Sequence, residues 1–206
     1  MTKINYPTEQ EMFWSGKFGD DYVERNNTDA MVDSNIALFS QIMKSTNDVY
    51  SIIELGCNTG LNLRALQRIN AMLELTGYDI NKKSLSVART STEASIINAT
   101  IIGDLTQEAQ ADLTFTKTVL IHINPDFLQN VYDNLFKLSK RYIMLAEYYN
   151  PYPVKVPYRD NSDKLFKRDF AGELIDRFGL KLVDYGFAYH RDEFPQDDIT
   201  WFLLEK

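Results

Sequence analysis

The chain contains a single cysteine, Cys57, among 206 residues. One thiol cannot form an internal disulfide, and it offers no cysteine cluster for zinc. No apolar run approaches the roughly 18 residues of a membrane-spanning helix. The first residues, 1–7, include no apolar segment typical of a signal peptide. We therefore expect a cytoplasmic protein with no membrane span.

Positive charge is also scarce, because 22 Lys and Arg face 29 Asp and Glu, for a net charge of −7. This balance disfavours partners such as nucleic acid or an anionic membrane, which bind basic surfaces. A hydrophobic fraction of 44% predicts a folded core. Neither an internal repeat nor a low-complexity linker divides the chain. We predict one domain over 1–206, with an N-terminal lid and helix over 1–45 and a substrate loop over 150–170; the sequence does not indicate an oligomeric state.

Apolar, β-branched runs alternate with stretches of helical periodicity along the chain. This alternation predicts an α/β protein with a parallel sheet and helices on both faces. Strands are predicted at 49–55, 75–80, 96–102, 112–123, 141–149, 180–189 and 199–204. Helices are predicted at about 28–45, after residue 60, from 81 to about 89, after 125 and near 168–178, with a loop over 150–164.

The most informative segment is Glu54-Leu-Gly-Cys-Asn-Thr-Gly60, which follows a buried strand and precedes a helix. A dinucleotide-binding fingerprint would need glycine at positions 56, 58 and 61, but the chain has Asn58 and Leu61. The spacing resembles motif I of class I S-adenosylmethionine-dependent methyltransferases, with Asn58 at the usual middle glycine. The resemblance implies a Rossmann-like fold, with a mostly parallel seven-stranded sheet, a C-terminal antiparallel hairpin and S-adenosylmethionine as cofactor.

The same resemblance implies cofactor contacts at the ends of successive strands. Glu54 would hold the amino group of the cofactor, and the glycines of motif I would let backbone amides approach its methionine part. Asp79 would accept both ribose hydroxyls, although it could instead cap the helix that starts near Asn81. Asp104 would meet the adenine amine, with Leu105 donating from its backbone, although Asp104 could be a turn residue.

The segments 13–26, 120–123 and 157–170 resemble the pseudaminic acid biosynthesis-associated methylases, which occur with genes for nonulosonic sugars of bacterial surfaces. This resemblance implies a methylated sugar or sugar-derived substrate, without identifying the methylated atom. In the lid, Trp14, Phe18 and Tyr22 could face the sulfonium and Arg25 the cofactor carboxylate, or the aromatic residues could be ordinary core. The predicted cofactor-binding residues are Trp14, Tyr22, Arg25, Glu54, Gly56, Cys57, Asn58, Gly60, Asp79, Ile80, Asp104 and Leu105.

A tyrosine-rich segment near residues 148–169 is the predicted substrate side. Its hydroxyls and basic groups suit a hydroxyl-rich, acidic or sugar-nucleotide substrate, although it could be a solvated loop. The predicted substrate-binding residues are Tyr148, Tyr152, Tyr158 and Arg159.

His122 lies at the end of the fourth predicted strand and is the predicted catalytic residue, a general base for a hydroxyl acceptor. It could instead hold a backbone group or pack on the cofactor, and His190 is a weaker second base. No cluster has metal-ligand spacing, so no metal is predicted. Three alternatives stay open: a non-catalytic S-adenosylmethionine-binding partner of a sugar pathway, a methyltransferase for an unrelated carboxylate or hydroxyl, and an oxidoreductase.

Overall fold

The structure, a computed structural model, describes residues 7–25, 28–105, 107–158 and 164–206. Seven strands form one sheet in the order β3-β2-β1-β4-β5-β9-β8. Strands β1 to β5 are parallel, whereas β9 runs antiparallel to both β5 and β8. The predicted fold, with its closing antiparallel hairpin, is confirmed. The strands of this sheet are β1 (Ser51–Leu55), β2 (Glu74–Asp79), β3 (Ser95–Asn98), β4 (Ala111–Lys117), β5 (Ser139–Glu147), β8 (Lys181–Ala188) and β9 (Ile199–Glu205).

Helices cover both faces of the sheet, as the alternating pattern predicts. Phe39, Leu63 and Leu85 pack on one face, and Val131 and Leu174 pack on the other. Burying apolar side chains on both faces is the main favourable term for such a sheet. The helices are α1 (Glu9–Ser15), α2 (Lys17–Arg25), α3 (Asp29–Met43), α4 (Leu61–Ile69), α5 (Lys82–Ser91), α6 (Leu128–Leu138) and α7 (Phe170–Phe178).

Caps explain several helix boundaries. Thr28 caps α3 by accepting a hydrogen bond from the Met31 amide, and Asn81 caps α5 by accepting from the Ser84 amide at 2.8 Å. Gly179 ends α7 in the left-handed conformation, with φ of 67°. The alternative cap at Asn27 lies outside the described residues.

The prediction that the fourth strand continues to Ile123 is wrong. Strand β4 ends at Lys117, because Thr118 has a φ of 54° and turns the backbone out of the sheet. Residues Leu120–His122 then form one 3₁₀ turn, and Pro125–Phe127 form another before α6. His122 therefore lies on a turn above the sheet.

Other boundaries also differ from the predicted ones. Strand β3 ends at Asn98, and the predicted remainder is a turn in which Ile101 and Ile102 are buried. The predicted loop over 150–164 contains β6 (Val154–Lys155), which pairs with β7 (Phe166–Lys167). Two-residue strands carry too weak a pattern to be found in a sequence.

The sheet order reverses between β1 and β4, since β2 and β3 follow on one side and β5 on the other. In an open parallel sheet, such a reversal leaves a crevice at the carboxyl ends of the two strands. The motif I glycines and His122 both follow these two strands directly.

Candidate active site

The motif I turn depends on backbone conformations that few residues adopt. Gly56 and Gly60 have φ of 89° and 79°. A Cβ on Gly56 would lie 2.5 Å from Cγ2 of Val119, so only glycine fits against the turn after β4. Asn58 also has a positive φ, of 46°, and its Oδ1 accepts the Thr59 amide at 2.7 Å. Asparagine tolerates this conformation, which explains how it replaces the usual middle glycine.

Asp79 ties this turn to the end of β2. Its Oδ2 accepts the Asn58 amide and its Oδ1 accepts the Asn81 amide, both at 2.8 Å. Asn81 supplies the side-chain cap of α5, so Asp79 does not need to do so. Burial raises the Asp79 pKa, and these amides lower it. Because a carboxylate accepts about four hydrogen bonds, Asp79 can still accept from a ligand.

Glu54 is fully buried at the end of β1. Its Oε1 accepts a hydrogen bond from Nδ2 of Asn62 at 2.6 Å, whereas its Oε2 has no partner among the described residues. Burial raises the Glu54 pKa to about 8, opposed by the Asn62 bond and by the charge of Lys117. An unsatisfied buried carboxylate oxygen is costly unless a ligand supplies a donor.

The remaining predicted cofactor residues are placed less favourably. Asp104 is exposed in the loop after β3. The Leu105 amide donates to Oδ1 of Asn134 at 3.2 Å, so this donor is already used. The Ile80 carbonyl accepts from Asn98. Cys57 is buried and burial raises the pKa of its thiol, so it is an inert packing residue.

The lid helices bring an aromatic cluster over His122. The ring of Trp14 lies 4.7 Å from the imidazole and 5.4 Å from the ring of Tyr22, measured between centroids. The ring of Tyr158 lies 5.1 Å from the imidazole and 6.1 Å from the ring of Phe18. Trp14, Tyr22, His122 and Tyr158, all predicted site residues, thus form one cluster. We call Trp14, Phe18, Tyr22, His122 and Tyr158 the aromatic cluster.

Polar contacts hold the lid on the sheet. Nδ2 of Asn81 donates to the Trp14 carbonyl at 3.1 Å and to Oδ1 of Asp20 at 2.9 Å. The Thr100 hydroxyl donates to the Glu11 carboxylate. The lid helices α1 and α2 therefore contact Asn81, which follows β2, and Thr100, which follows β3.

The His122 imidazole has a defined tautomer. Its Nδ1 lies 2.6 Å from the Lys164 carbonyl oxygen. Because a carbonyl only accepts, Nδ1 carries the proton and Nε2 presents a lone pair. Burial lowers the His122 pKa to about 4, so the ring is neutral at physiological pH. His190, by contrast, is exposed, with Nδ1 2.8 Å from the carboxylate of Asp198.

The predicted substrate residues separate into different environments. Tyr148 is partly buried. Burial raises its pKa most, and the nearby acidic groups of Asp197, Tyr22 and Tyr158 raise it further. Tyr148 thus lies near the aromatic cluster. Tyr152 is 75% exposed, and Arg159 is outside the described residues. Arg25 stacks over the Phe18 ring at 5.7 Å.

Two charged residues at the carboxyl edge of the sheet were not predicted. Lys117 ends β4 without an ion pair to any described residue, and burial lowers its pKa. Glu147 ends β5 and is only 3% exposed. A charged residue directly after an uncharged run, 113–116 before Lys117 and 142–146 before Glu147, is the signal that could have identified both.

Comparison with known proteins is consistent with this geometry. Residues 52–141 match the family model described as "Methyltransferase domain". These residues form an S-adenosylmethionine-dependent methyltransferase domain. No curated protein sequence matches the chain.

Solved structures show the same fold at low identity. Magnesium protoporphyrin IX methyltransferase from Synechocystis PCC 6803, solved with bound S-adenosylmethionine, is 13% identical, with a TM-score of 0.68 over 98% of this chain and 99% of that one. A SAM-dependent methyltransferase from Archaeoglobus fulgidus is 12% identical, with a TM-score of 0.66 over 85% and 94%. Mitomycin 7-O-methyltransferase is 10% identical, with a TM-score of 0.69 over 97% of this chain and 61% of its own.

The methyltransferase has residues that fit its cofactor. The unpartnered Glu54 oxygen suits an ammonium donor, and Asp79 has acceptor capacity left for hydroxyls. The described ranges contain no group of three or more His, Cys, Asp and Glu side chains arranged for a metal ion. Within the same ranges, no helix has the length and apolarity to cross a membrane.

Proposed function

We propose that the protein transfers a methyl group from S-adenosylmethionine to a nonulosonic, pseudaminic-type sugar or a related sugar derivative of bacterial surface glycan biosynthesis. The observation that carries the acceptor side is the lone pair on Nε2 of His122, which follows from the proton on Nδ1, within the aromatic cluster. The ring of Tyr158 packs against the same imidazole, and Tyr148 lies near Tyr22 and Tyr158. Hydroxyl groups next to aromatic faces suit a sugar, which presents both hydroxyl groups and C–H faces.

We assign the cofactor contacts on the geometry of motif I. Glu54 Oε2 would accept from the ammonium group of the cofactor, and the remaining lone pairs of Asp79 would accept from the ribose. The glycines at 56 and 60 would leave room for the backbone amides to approach the methionine part of the cofactor. Trp14 and Tyr22 would face the sulfonium. The proposed contacts of Cys57, Asn58 and Ile80 are through their backbones, and Arg25, Asp104 and Leu105 complete the proposed set.

His122 would act as the general base. The cofactor supplies an electrophilic methyl group on a sulfonium. A hydroxyl of the acceptor would donate a hydrogen bond to Nε2, and its proton would move to Nε2 as the new O–C bond forms and the C–S bond breaks, with S-adenosylhomocysteine as the leaving group. The imidazolium would keep its Nδ1 hydrogen bond to the Lys164 carbonyl, which favours the charged ring. The aromatic cluster excludes water and aligns the acceptor, and alignment supplies much of the rate of a displacement at carbon.

The test is incubation of the protein with S-adenosylmethionine and either pseudaminic acid or its cytidine monophosphate ester. We expect S-adenosylhomocysteine and a sugar heavier by one methylene group, both absent with heat-denatured protein. Binding of the cofactor without turnover on either sugar would contradict the proposed acceptor. If an unrelated hydroxyl or carboxylate compound is methylated in the same assay, that compound would replace the sugar as the proposed acceptor.

A further inference from the structure

The carboxylate of Glu147 supports the turn that carries His122. Its Oε1 accepts hydrogen bonds from the amides of Val119 and Leu120, both at 3.1 Å. The next bond in the turn joins the His122 amide to the Val119 carbonyl at 2.9 Å. One buried oxygen thus fixes the first two residues of a turn whose third helical residue is His122.

The turn is also packed into the core, where Leu120 and Ile121 are fully buried. It starts after Thr118, whose φ of 54° is unfavourable for a β-branched residue. Val119 packs against Gly56 of motif I, since a Cβ on Gly56 would collide with it. The turn therefore lies between motif I and Glu147, and a change at Glu147 would move the imidazole relative to motif I.

We propose that Glu147 is a positioning residue for His122, holding the turn through its ionised carboxylate so that Nε2 stays directed into the aromatic cluster. This inference rests on the proposed role of His122 in methyl transfer. A carboxylate accepts amide hydrogen bonds roughly twice as strongly as a neutral oxygen does, so the protonation state of Glu147 determines how firmly the turn is held.

Burial raises the Glu147 pKa to about 7, although the amides that it accepts from lower it. Its Oε2 is buried without a hydrogen bond to a described residue. The nearby hydroxyl of Thr116 lowers the pKa of Glu147, although it forms no hydrogen bond to the carboxylate. Glu147 also lines a small cavity together with Arg168, Phe170 and Phe202.

Four charged or titratable groups face Glu147 from the neighbouring elements. Lys117 lies on β4, Tyr132 on α6 and Tyr148 directly after β5. Arg168 lines the same cavity and is itself paired with a carboxylate of α7. The positive charge of Lys117 favours ionised Glu147, whereas burial favours the protonated form.

The experiment records the imidazole nitrogen chemical shifts of His122 against pH in the free protein. The chain has only two histidines, so a His190→Gln variant assigns both rings. We expect His122 to stay neutral with its proton on Nδ1, and its shifts to show an inflection near pH 7 that comes from Glu147. Glu147→Gln should abolish this inflection, whereas Glu205→Gln, a carboxylate paired with Arg141, should keep it.

A second variant removes the acceptor altogether. Glu147→Leu should give both tautomers of His122 and raise its pKa towards the ordinary value of about 6.5. An inflection near pH 7 that persists in Glu147→Gln, or its absence from the wild type, would overturn the proposal. If Glu147→Leu does not fold, the Glu147→Gln titration still decides.

The kinetic measurement separates this inference from the proposed function. With an accepted sugar, Glu147→Gln should lower kcat roughly 10- to 100-fold and leave the cofactor Kd within about twofold, as expected for a misplaced base. If the wild type turns over no sugar but shows the Glu147-dependent inflection, the proposed function fails while the positioning of His122 stands.

Discussion

The side-chain nitrogen of Asn81 donates to the backbone carbonyl of Trp14 across 3.1 Å, while the oxygen of the same amide caps α5. One side chain therefore joins the lid to the end of β2. The backbone amide of Asn81 also donates to Asp79. Asn81 therefore contacts the lid, caps α5 and hydrogen-bonds the residue proposed to bind the ribose. Substitution can remove the hydrogen bond of the side-chain nitrogen while keeping the cap formed by the side-chain oxygen.

Asn81→Asp should release the lid while leaving α5 intact. Aspartate keeps the capping oxygen, but it loses the donor to Trp14 and adds a negative charge beside Asp20. We expect faster amide hydrogen exchange in residues 9–25 and roughly tenfold weaker cofactor binding. Asn81→Ala removes both interactions and should also lower the free energy of unfolding by about 1 kcal/mol. Equal exchange rates in wild type and Asn81→Asp would show that this contact does not hold the lid.

Asp79→Asn should weaken cofactor binding by roughly 10- to 100-fold, because it removes a charged acceptor from the proposed ribose contact. The matched control is Asp112→Asn. Asp112 likewise accepts two backbone amides, from Tyr50 and Ser51, but at the amino end of β1. Calorimetric titration should show a changed cofactor Kd only for Asp79→Asn, although both variants should unfold more easily. An unchanged Kd in Asp79→Asn would remove this residue from the site.

Periodicity and motif spacing predict the sheet and the motif I turn, because strands buried on both faces and a glycine turn leave strong patterns. They fail at Thr118, where the apolar run continues to Ile123 although the backbone has left the sheet. No local propensity marks that break, since a threonine at positive φ is held by its surroundings. The sequence therefore places His122 on a strand, whereas the structure has it in a 3₁₀ turn.

The support of His122 is also invisible to local sequence patterns. Glu147 lies 28 positions from Val119 in the chain, and only the pairing of β4 with β5 brings them together. Asn81 was predicted as a helix cap, but its second contact, to Trp14, spans 67 positions. Long-range contacts of this kind follow from the fold and do not follow from spacing.

Cofactor binding should release a proton from Glu54. With its pKa raised to about 8, this carboxyl is mostly protonated at pH 7 in the free protein. The ammonium group of the cofactor favours the ionised form, so binding lowers the pKa and the proton leaves. Calorimetry at pH 7 in buffers of different ionisation enthalpy should give close to one proton released, and almost none in Glu54→Gln. Equal release in the two proteins would assign the proton to another group.

The free protein should lose stability as the pH rises from 6.5 to 8. A carboxyl whose folded pKa is raised binds more protons when folded than when unfolded, so its ionisation disfavours the fold. Glu54, at about 8, and Glu147, at about 7, both act in this window. The depressed pKa of His122, about 4 against 6.5, gives the opposite slope only below about pH 6.5. Urea unfolding at the two pH values should show a smaller loss in Glu54→Gln than in wild type.

The two histidines provide the most direct test of the proposed base. His122→Ala should leave the cofactor Kd within about twofold and slow methyl transfer by roughly 10²- to 10⁴-fold, the usual contribution of a positioned general base. His190→Ala removes an exposed imidazole that pairs with Asp198, so the transfer rate should stay within about twofold. The measurement is S-adenosylhomocysteine formation at saturating cofactor. A full rate in His122→Ala would make His122 a packing residue of the aromatic cluster. The next group to vary would then be Lys117, a buried residue of β4 near Glu54 and Glu147.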